Sequence, residues 1–159
     1  MPLTRRQAAA AALAALPAPA QPLFSPAQIE TITFLADFFI PPDDTPGAGQ
    51  AGAANYLQRQ LAGPLSRFLP NWRDGLVALD RAAAGSFLSL PTPARSQLLE
   101  DIGNGKFPAL RNFFDMALDH VLQSYFGDPK YGGNANEASW KAAGIQDLMH
   151  SRHRRGSSK

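Results

Sequence analysis

The sequence predicts an all-α fold: a single compact helical domain of about five helices, preceded by an N-terminal signal peptide and followed, after the last core helix, by a long loop. Three observations predict it. Apolar residues recur at intervals of three and four along five separate stretches, the spacing that gathers side chains on one face of a helix. Proline, glycine and capping residues bound those stretches. Alternating runs of strand length are missing and β-branched residues are scarce, so the pattern of a half-buried strand does not arise. With residues 1–20 assigned to the signal, the rest of the 159-residue chain suffices for one core rather than two. The helical domain is expected over 21–150, with a basic, solvated, disordered tail over 151–159.

Thr4-Arg5-Arg6-Gln7, the run Ala8 to Leu16 and then Ala18-Pro19-Ala20 supply a basic start, a short apolar stretch and a small-x-small cleavage site. The stretch is too short to span a bilayer. The pair Arg5 and Arg6 marks the twin-arginine route, which carries folded proteins, although Ala8 stands where that pattern usually has a large apolar residue. Cleavage at Ala18 and Ala20 starts the mature protein near Gln21.

Ser25 as N-cap, Pro26 at the first helical position and Gln28 completing a capping box open the first helix, with Phe24 and Ile29 placed for a hydrophobic staple. Ile29, Ile32, Leu35, Phe38 and Phe39 form its apolar face, and Pro41-Pro42 stops it. After a loop built of Asp43-Asp44-Thr45-Pro46-Gly47, a second helix is expected over about residues 50–62, burying Ala53, Tyr56, Leu57 and Leu61. The third starts near Asn71, buries Trp72, Leu76, Leu79 and Ala83 and runs out at Gly85. Thr92-Pro93 has the N-cap and first-turn proline chemistry for a fourth, short helix carrying Leu98, Leu99 and Ile102. The fifth has the strongest periodicity, with Leu110, Phe113, Phe114, Ala117, Leu118, Val121, Leu122, Tyr125 and Phe126 on a wide apolar face ending at Gly127, and is the expected central helix. From Asp128 to Glu137 turn residues without periodicity predict a loop. Its tyrosine beside two glycines and two asparagines points to close docking against something, or to a well-packed turn in which Tyr131 and Trp140 cover the core.

Charge and composition remove several function classes. The formal charge of +2 comes from the ends: without Arg5, Arg6, Arg152, Arg154, Arg155 and Lys159, 9 basic residues face 13 acidic ones, a net of −4. Such a body offers no phosphate-tracking surface, which argues against nucleic acid. The absence of cysteine excludes disulfides, thiolate metal sites, thioether haem attachment and a thiol nucleophile, and suits export. There is no Gly-x-Ser-x-Gly elbow and no glycine-rich dinucleotide or phosphate loop. Asp43 and Asp44 are adjacent, a poor placement for paired acid–base work. His120 reads as a helix-surface or partly buried histidine with a hydrogen-bond partner. His150 and His153 have helical i,i+3 spacing that could grip a metal, but no carboxylate cluster stands near them in sequence.

The order of motifs resembles the gluconate 2-dehydrogenase subunit 3 family, the small subunit of membrane-bound, flavin-dependent sugar and polyol dehydrogenases. The resemblance rests on Arg5-Arg6, Phe24-Ser25-Pro26-Ala27-Gln28, Leu35-Ala36-Asp37 leading to Ile40-Pro41-Pro42-Asp43-Asp44-Thr45-Pro46-Gly47-Ala48, and Gly75-Leu76-Val77-Ala78-Leu79-Asp80. It continues through Tyr125-Phe126-Gly127-Asp128-Pro129-Lys130-Tyr131-Gly132-Gly133-Asn134 to Trp140-Lys141-Ala142-Ala143-Gly144. Ile145-Gln146-Asp147 departs from it, where the family often has Phe-Pro-Gly.

The resemblance implies a non-catalytic partner, without a cofactor of its own, for a large glucose-methanol-choline-type subunit that holds FAD. A multihaem cytochrome c subunit often stands beside that pair and passes electrons to the membrane quinone pool. It further implies that the small subunit carries the export signal for the large one through the twin-arginine translocon and is needed for its maturation. The complex is then periplasmic and held at the inner membrane through its partners. The expected docking surface comprises Pro41, Pro42, Asp43, Asp44, Tyr125, Tyr131, Gly132, Gly133, Asn134 and Trp140, with Tyr131 and Trp140 as aromatic anchors. Exposed apolar faces of the early helices are an equal alternative. The competing readings are a freestanding periplasmic binding or metal protein using His120 or the His150/His153 pair, and a helical module for some other secreted partner.

Overall fold

The computed structural model describes residues 22–156, with the side chains of 153–156 left out. Arg5, Arg6, Ala18 and Ala20, and with them the signal and its cleavage site, lie outside the described residues. Among the described residues there are seven α-helices linked by short 3-10 turns and no strand, so the fold class is all-α as the periodicity requires.

α1 (Pro26–Phe39) opens as its sequence dictates. Ser25 Oγ accepts from the Gln28 amide at 3.2 Å and Gln28 Oε1 accepts from the Ser25 amide at 2.9 Å, the reciprocal bonds of a capping box. α2 (Ala53–Leu61) begins later than the expected residue 50. The Asp37 carboxylate accepts from Gly49 N at 2.8 Å and Gln50 N at 3.4 Å and so holds those residues in a turn, and Gly52, at φ 95°, redirects the chain. α3 (Leu69–Ala82) begins before Asn71 because a 3-10 turn, Ser66–Phe68, feeds directly into it. In α4 (Thr92–Gly103), Thr92 is the first helical residue rather than the cap; the Pro91 carbonyl accepts from Ala94 and Arg95 instead.

α5 (Arg111–Phe126) is central, touching α1, α2, α3 and α4. Its buried stripe is Ala117, His120, Val121, Ser124 and Tyr125, whereas Leu122 and Phe126, expected on the apolar face, are 37% and 56% exposed. The stripe is turned because small or hydrogen-bonded residues occupy the contact side: Ser124 returns its hydroxyl to Val121 O at 2.7 Å, which lets backbones approach. Trp72, fully buried, meets the rings of Phe24 and Phe113 edge-on and that of His120 nearly parallel. Gly75 of α3 lies flat under Phe113, where a Cβ would stand 2.0 Å from Cδ2.

The segment after Gly127, expected as a loop, is more ordered than its composition indicates. It contains 3-10 turns at Pro129–Tyr131 and Ala135–Glu137, then α6 (Ala138–Ala142) and α7 (Gln146–Gly156). α7 therefore carries helix into residues 151–156 of the expected disordered tail. Its sequence lacks an apolar stripe, and tertiary bonds hold it: the Glu137 carboxylate accepts from the Gln146 amide and pairs with His150 Nε2 at 2.6 Å.

Candidate functional site

The two stretches singled out by sequence meet at one end of the bundle, where the loop 40–52 and the segment 127–140 pack on α2 and α5. Gly47 and Gly49 let the first loop press against α1: a Cβ on Gly47 would lie 2.8 Å from Ile40 O, and one on Gly49 2.5 Å from Thr33 O. Tyr125 donates its hydroxyl to Pro46 O at 2.9 Å, tying the loop to α5. Asp43 accepts from Thr45 N and Oγ1 at 2.8 and 2.9 Å, and the backbone bond, with the hydroxyl bond behind it, holds its carboxyl below the usual carboxylate range. Asp43 is thus a turn former, its side chain bonding the backbone two residues on.

The Tyr131-Gly132-Gly133-Asn134 segment is pinned by its backbone. Asn55 Nδ2 donates to Gly132 O at 2.8 Å and Arg59 Nη1 to Lys130 O at 3.1 Å, so one face of α2 grips the loop. Gly132 sits at φ 102° and Gly133 lies so near α5 that a Cβ would be 2.3 Å from Ser124 O. Asn134 is fully buried in the left-handed region; its Nδ2 donates to Gly127 O at 2.9 Å while its Oδ1 accepts from Ser139 N and Oγ at 2.9 and 3.0 Å. One side chain so joins the end of α5 to the start of α6. The short polar side chain of asparagine tolerates that backbone and leaves no buried polar atom unpaired.

Of the expected docking residues, Pro41, Pro42, Asp43 and Asp44 are exposed, as is Tyr131 at 47%, its ring 5.0 Å from Lys130 Nζ. Tyr125, Gly133, Asn134 and Trp140 are buried, and Gly132 is half-buried. Trp140, expected as an aromatic anchor for a partner, is 2% exposed and donates its indole N–H to Phe126 O at 3.2 Å. In this chain it anchors α6 to α5 and presents no surface. The residue types that suit an interface also suit a core, and only burial separates the two uses. Asn55 and Arg59 carry no distinguishing signal in the sequence, where an i,i+4 polar pair on a helix resembles any solvated face.

Two of the three histidines, His120 and His150, find protein partners, and the side chain of His153, the other half of the expected i,i+3 pair, lies outside the described residues. Trp72 Nε1 donates to His120 Nδ1 at 3.0 Å, and burial depresses the imidazole pKa below its ordinary 6.5, with Asp119 opposing. His150 pairs with Glu137, whose carboxyl that bond, foremost among several, holds below its usual range. The carboxylate that His150 meets is thus Glu137, thirteen residues away, and not the nearby Asp147. Among the described residues, no group of three or more His, Cys, Asp or Glu is placed to hold a metal ion.

Beside His120 a cleft of about 400 Å³ opens, lined by Leu65, Arg67, Phe68, Met116, Asp119, His120 and Gln123. Tyr56 connects it to the loop end of the site: its hydroxyl donates to Gln123 Oε1 at 3.4 Å, and burial raises its pKa, the neighbouring Tyr131 phenol adding to the effect.

A family model described as Gluconate 2-dehydrogenase subunit 3 matches residues 26–146, more than half of the chain and nearly all of the described helices. Neither a curated protein nor a solved structure matches it.

Proposed function

The chain belongs to the gluconate 2-dehydrogenase subunit 3 family, and on that premise of a subunit in a dehydrogenase complex we propose that it is the non-catalytic export escort and maturation partner of a flavin-bearing large subunit. The single observation that carries this reading is the family match over residues 26–146. The large subunit is of the glucose-methanol-choline type and holds FAD, a cytochrome c subunit stands as the next electron carrier, and the assembly works in the periplasm at the inner membrane.

Two features of this chain support the reading. The arginine pair Arg5-Arg6 ahead of an alanine-rich run fits a route for folded cargo, and a pair of proteins exported on one signal must assemble beforehand. The bundle end carrying exposed Tyr131 is built on backbone pins rather than free side chains, which fixes its shape before any partner arrives.

The experiment is export. Expressed with this chain, the large subunit reaches the periplasm as active flavoprotein; expressed alone, or with Arg5→Lys and Arg6→Lys in this chain, it stays in the cytoplasm. Periplasmic, active large subunit in the absence of this chain sinks the escort role.

A further inference from the structure

The two ring nitrogens of His120, a side chain only 4% exposed, meet different surroundings. Nδ1 accepts the Trp72 indole proton, which leaves the imidazole's own proton on Nε2. Among the described residues no protein group pairs with that N–H, and every side-chain nitrogen or oxygen sealed from solvent has a partner. Nε2 therefore touches the cleft that His120 lines. A hydrogen-bond donor set deep among Leu65, Phe68 and Met116 is worth far more to an incoming acceptor than one in water.

We propose that this cleft receives an uncharged amide group, backbone or side-chain, of the complex's catalytic subunit, with His120 Nε2–H donating to the amide oxygen. The proposal rests on the chain's reading as a dehydrogenase subunit.

Charge selects the class of occupant. Arg67 and Asp119 both line the cleft, and neither forms an ion pair among the described residues; Arg67 instead lies over the Phe68 ring at 4.7 Å. Their opposite charges offset, so a carboxylate or ammonium entering between them loses its water for little net attraction. An amide loses less on leaving water than an ion does, and it recovers the loss in hydrogen bonds to the groups present. Its oxygen takes the His120 proton and the Arg67 guanidinium, and its N–H turns to Asp119. Gln123, whose Oε1 already accepts from Tyr56, has its NH2 left as a further donor. The apolar walls cover the methylenes beside the amide. Gln123 of the cleft bonds to Tyr56 of α2, the helix whose Asn55 and Arg59 hold the segment that carries Tyr131.

The test uses the full chain, labelled with 15N-histidine, alone and in complex with the catalytic subunit. Alone, the His120 Nε2 proton exchanges rapidly with water; in the complex its exchange slows about tenfold or more and its resonance moves downfield. Gln123→Trp, which fills the cleft mouth from an exposed position on α5, weakens the complex about tenfold relative to Gln123→Ala, which loses the same Tyr56 bond but leaves the mouth open. Asp119→Asn and Arg67→Gln each weaken it modestly. If wild type forms the complex while the proton stays in rapid exchange and Gln123→Trp binds as tightly as Gln123→Ala, the cleft is not the receptor and the subunit reading stands. If Asp119→Asn tightens binding while Arg67→Gln abolishes it, the occupant is a carboxylate and the amide is wrong. Failure of the wild-type chain to form any complex overturns both readings.

Discussion

Trp72 donates its indole N–H to His120 Nδ1 at 3.0 Å, with the two rings 18° from parallel and both side chains almost wholly buried. The bond joins α3 to α5 where the core meets the cleft and fixes the histidine as a neutral tautomer. A pair that reads in sequence as one core aromatic and one histidine with an unspecified partner is a single polar unit between the core and the cleft, and its disruption has a cost that can be measured.

Trp72→Phe keeps an aromatic ring but leaves Nδ1 buried without a donor and a void where the indole stood. The expected loss is about 2–4 kcal/mol, the sum of an unpaired buried acceptor and a partial cavity. Urea unfolding checks it; a loss below about 1 kcal/mol means that water or a shifted side chain replaces the indole.

Acid should weaken the same pair. Burial lowers the folded-state pKa of His120 below its ordinary 6.5, so the contribution is complete above about pH 6.5 and is lost as pH falls through that value toward the folded-state pKa. His120→Gln retains an acceptor for Trp72 and does not titrate. Between pH 7.5 and about pH 5 the unfolding free energy of wild type should therefore fall more steeply than that of His120→Gln. Parallel curves would show that His120 titrates alike in both states.

Asn134→Ala removes the three bonds that join Gly127 to Ser139, and it places a Cβ residue without polar reach in the left-handed region at φ 47°. About 2–4 kcal/mol of stability should go, with the loss concentrated in α6 and α7. Hydrogen exchange at the Ser139 amide should accelerate more than exchange in α1 or α3. Asn134→Asp, which keeps the acceptor and loses the donor, should fall between the two.

Tyr131→Ala separates fold from docking. With 47% of the residue exposed, stability should change by no more than about 0.5 kcal/mol, while affinity for the catalytic subunit drops about tenfold or more. Trp140→Ala should do the reverse: a loss of about 3–5 kcal/mol in stability from a side chain 2% exposed. Calorimetry together with a pull-down of the catalytic subunit distinguishes them. Unchanged binding by Tyr131→Ala would move the interface elsewhere on the bundle.

Local chemistry determined what the sequence could determine alone. The capping box of Ser25 and Gln28, the stop at Pro41-Pro42 and the three- and four-residue spacing in α1 to α5 depend on residues within a turn or two of each other, so they are legible along the chain. The tertiary structure decided everything that depends on a distant partner. Thr92 lost the cap to Pro91, Leu122 and Phe126 were turned to the surface, and Trp140 was buried, because periodicity marks an apolar face without saying what covers it. The same holds for the loop after Gly127. Its glycines and asparagines announce unusual backbone, but that Asn134 is a clamp follows only from Gly127 and Ser139 arriving on either side of it, and α7 exists only where Glu137 meets Gln146 and His150. Polar side chains choose their partners in three dimensions, and so His120, which the sequence describes only as a histidine with some hydrogen-bond partner, acquires both Trp72 and an open cleft from the fold.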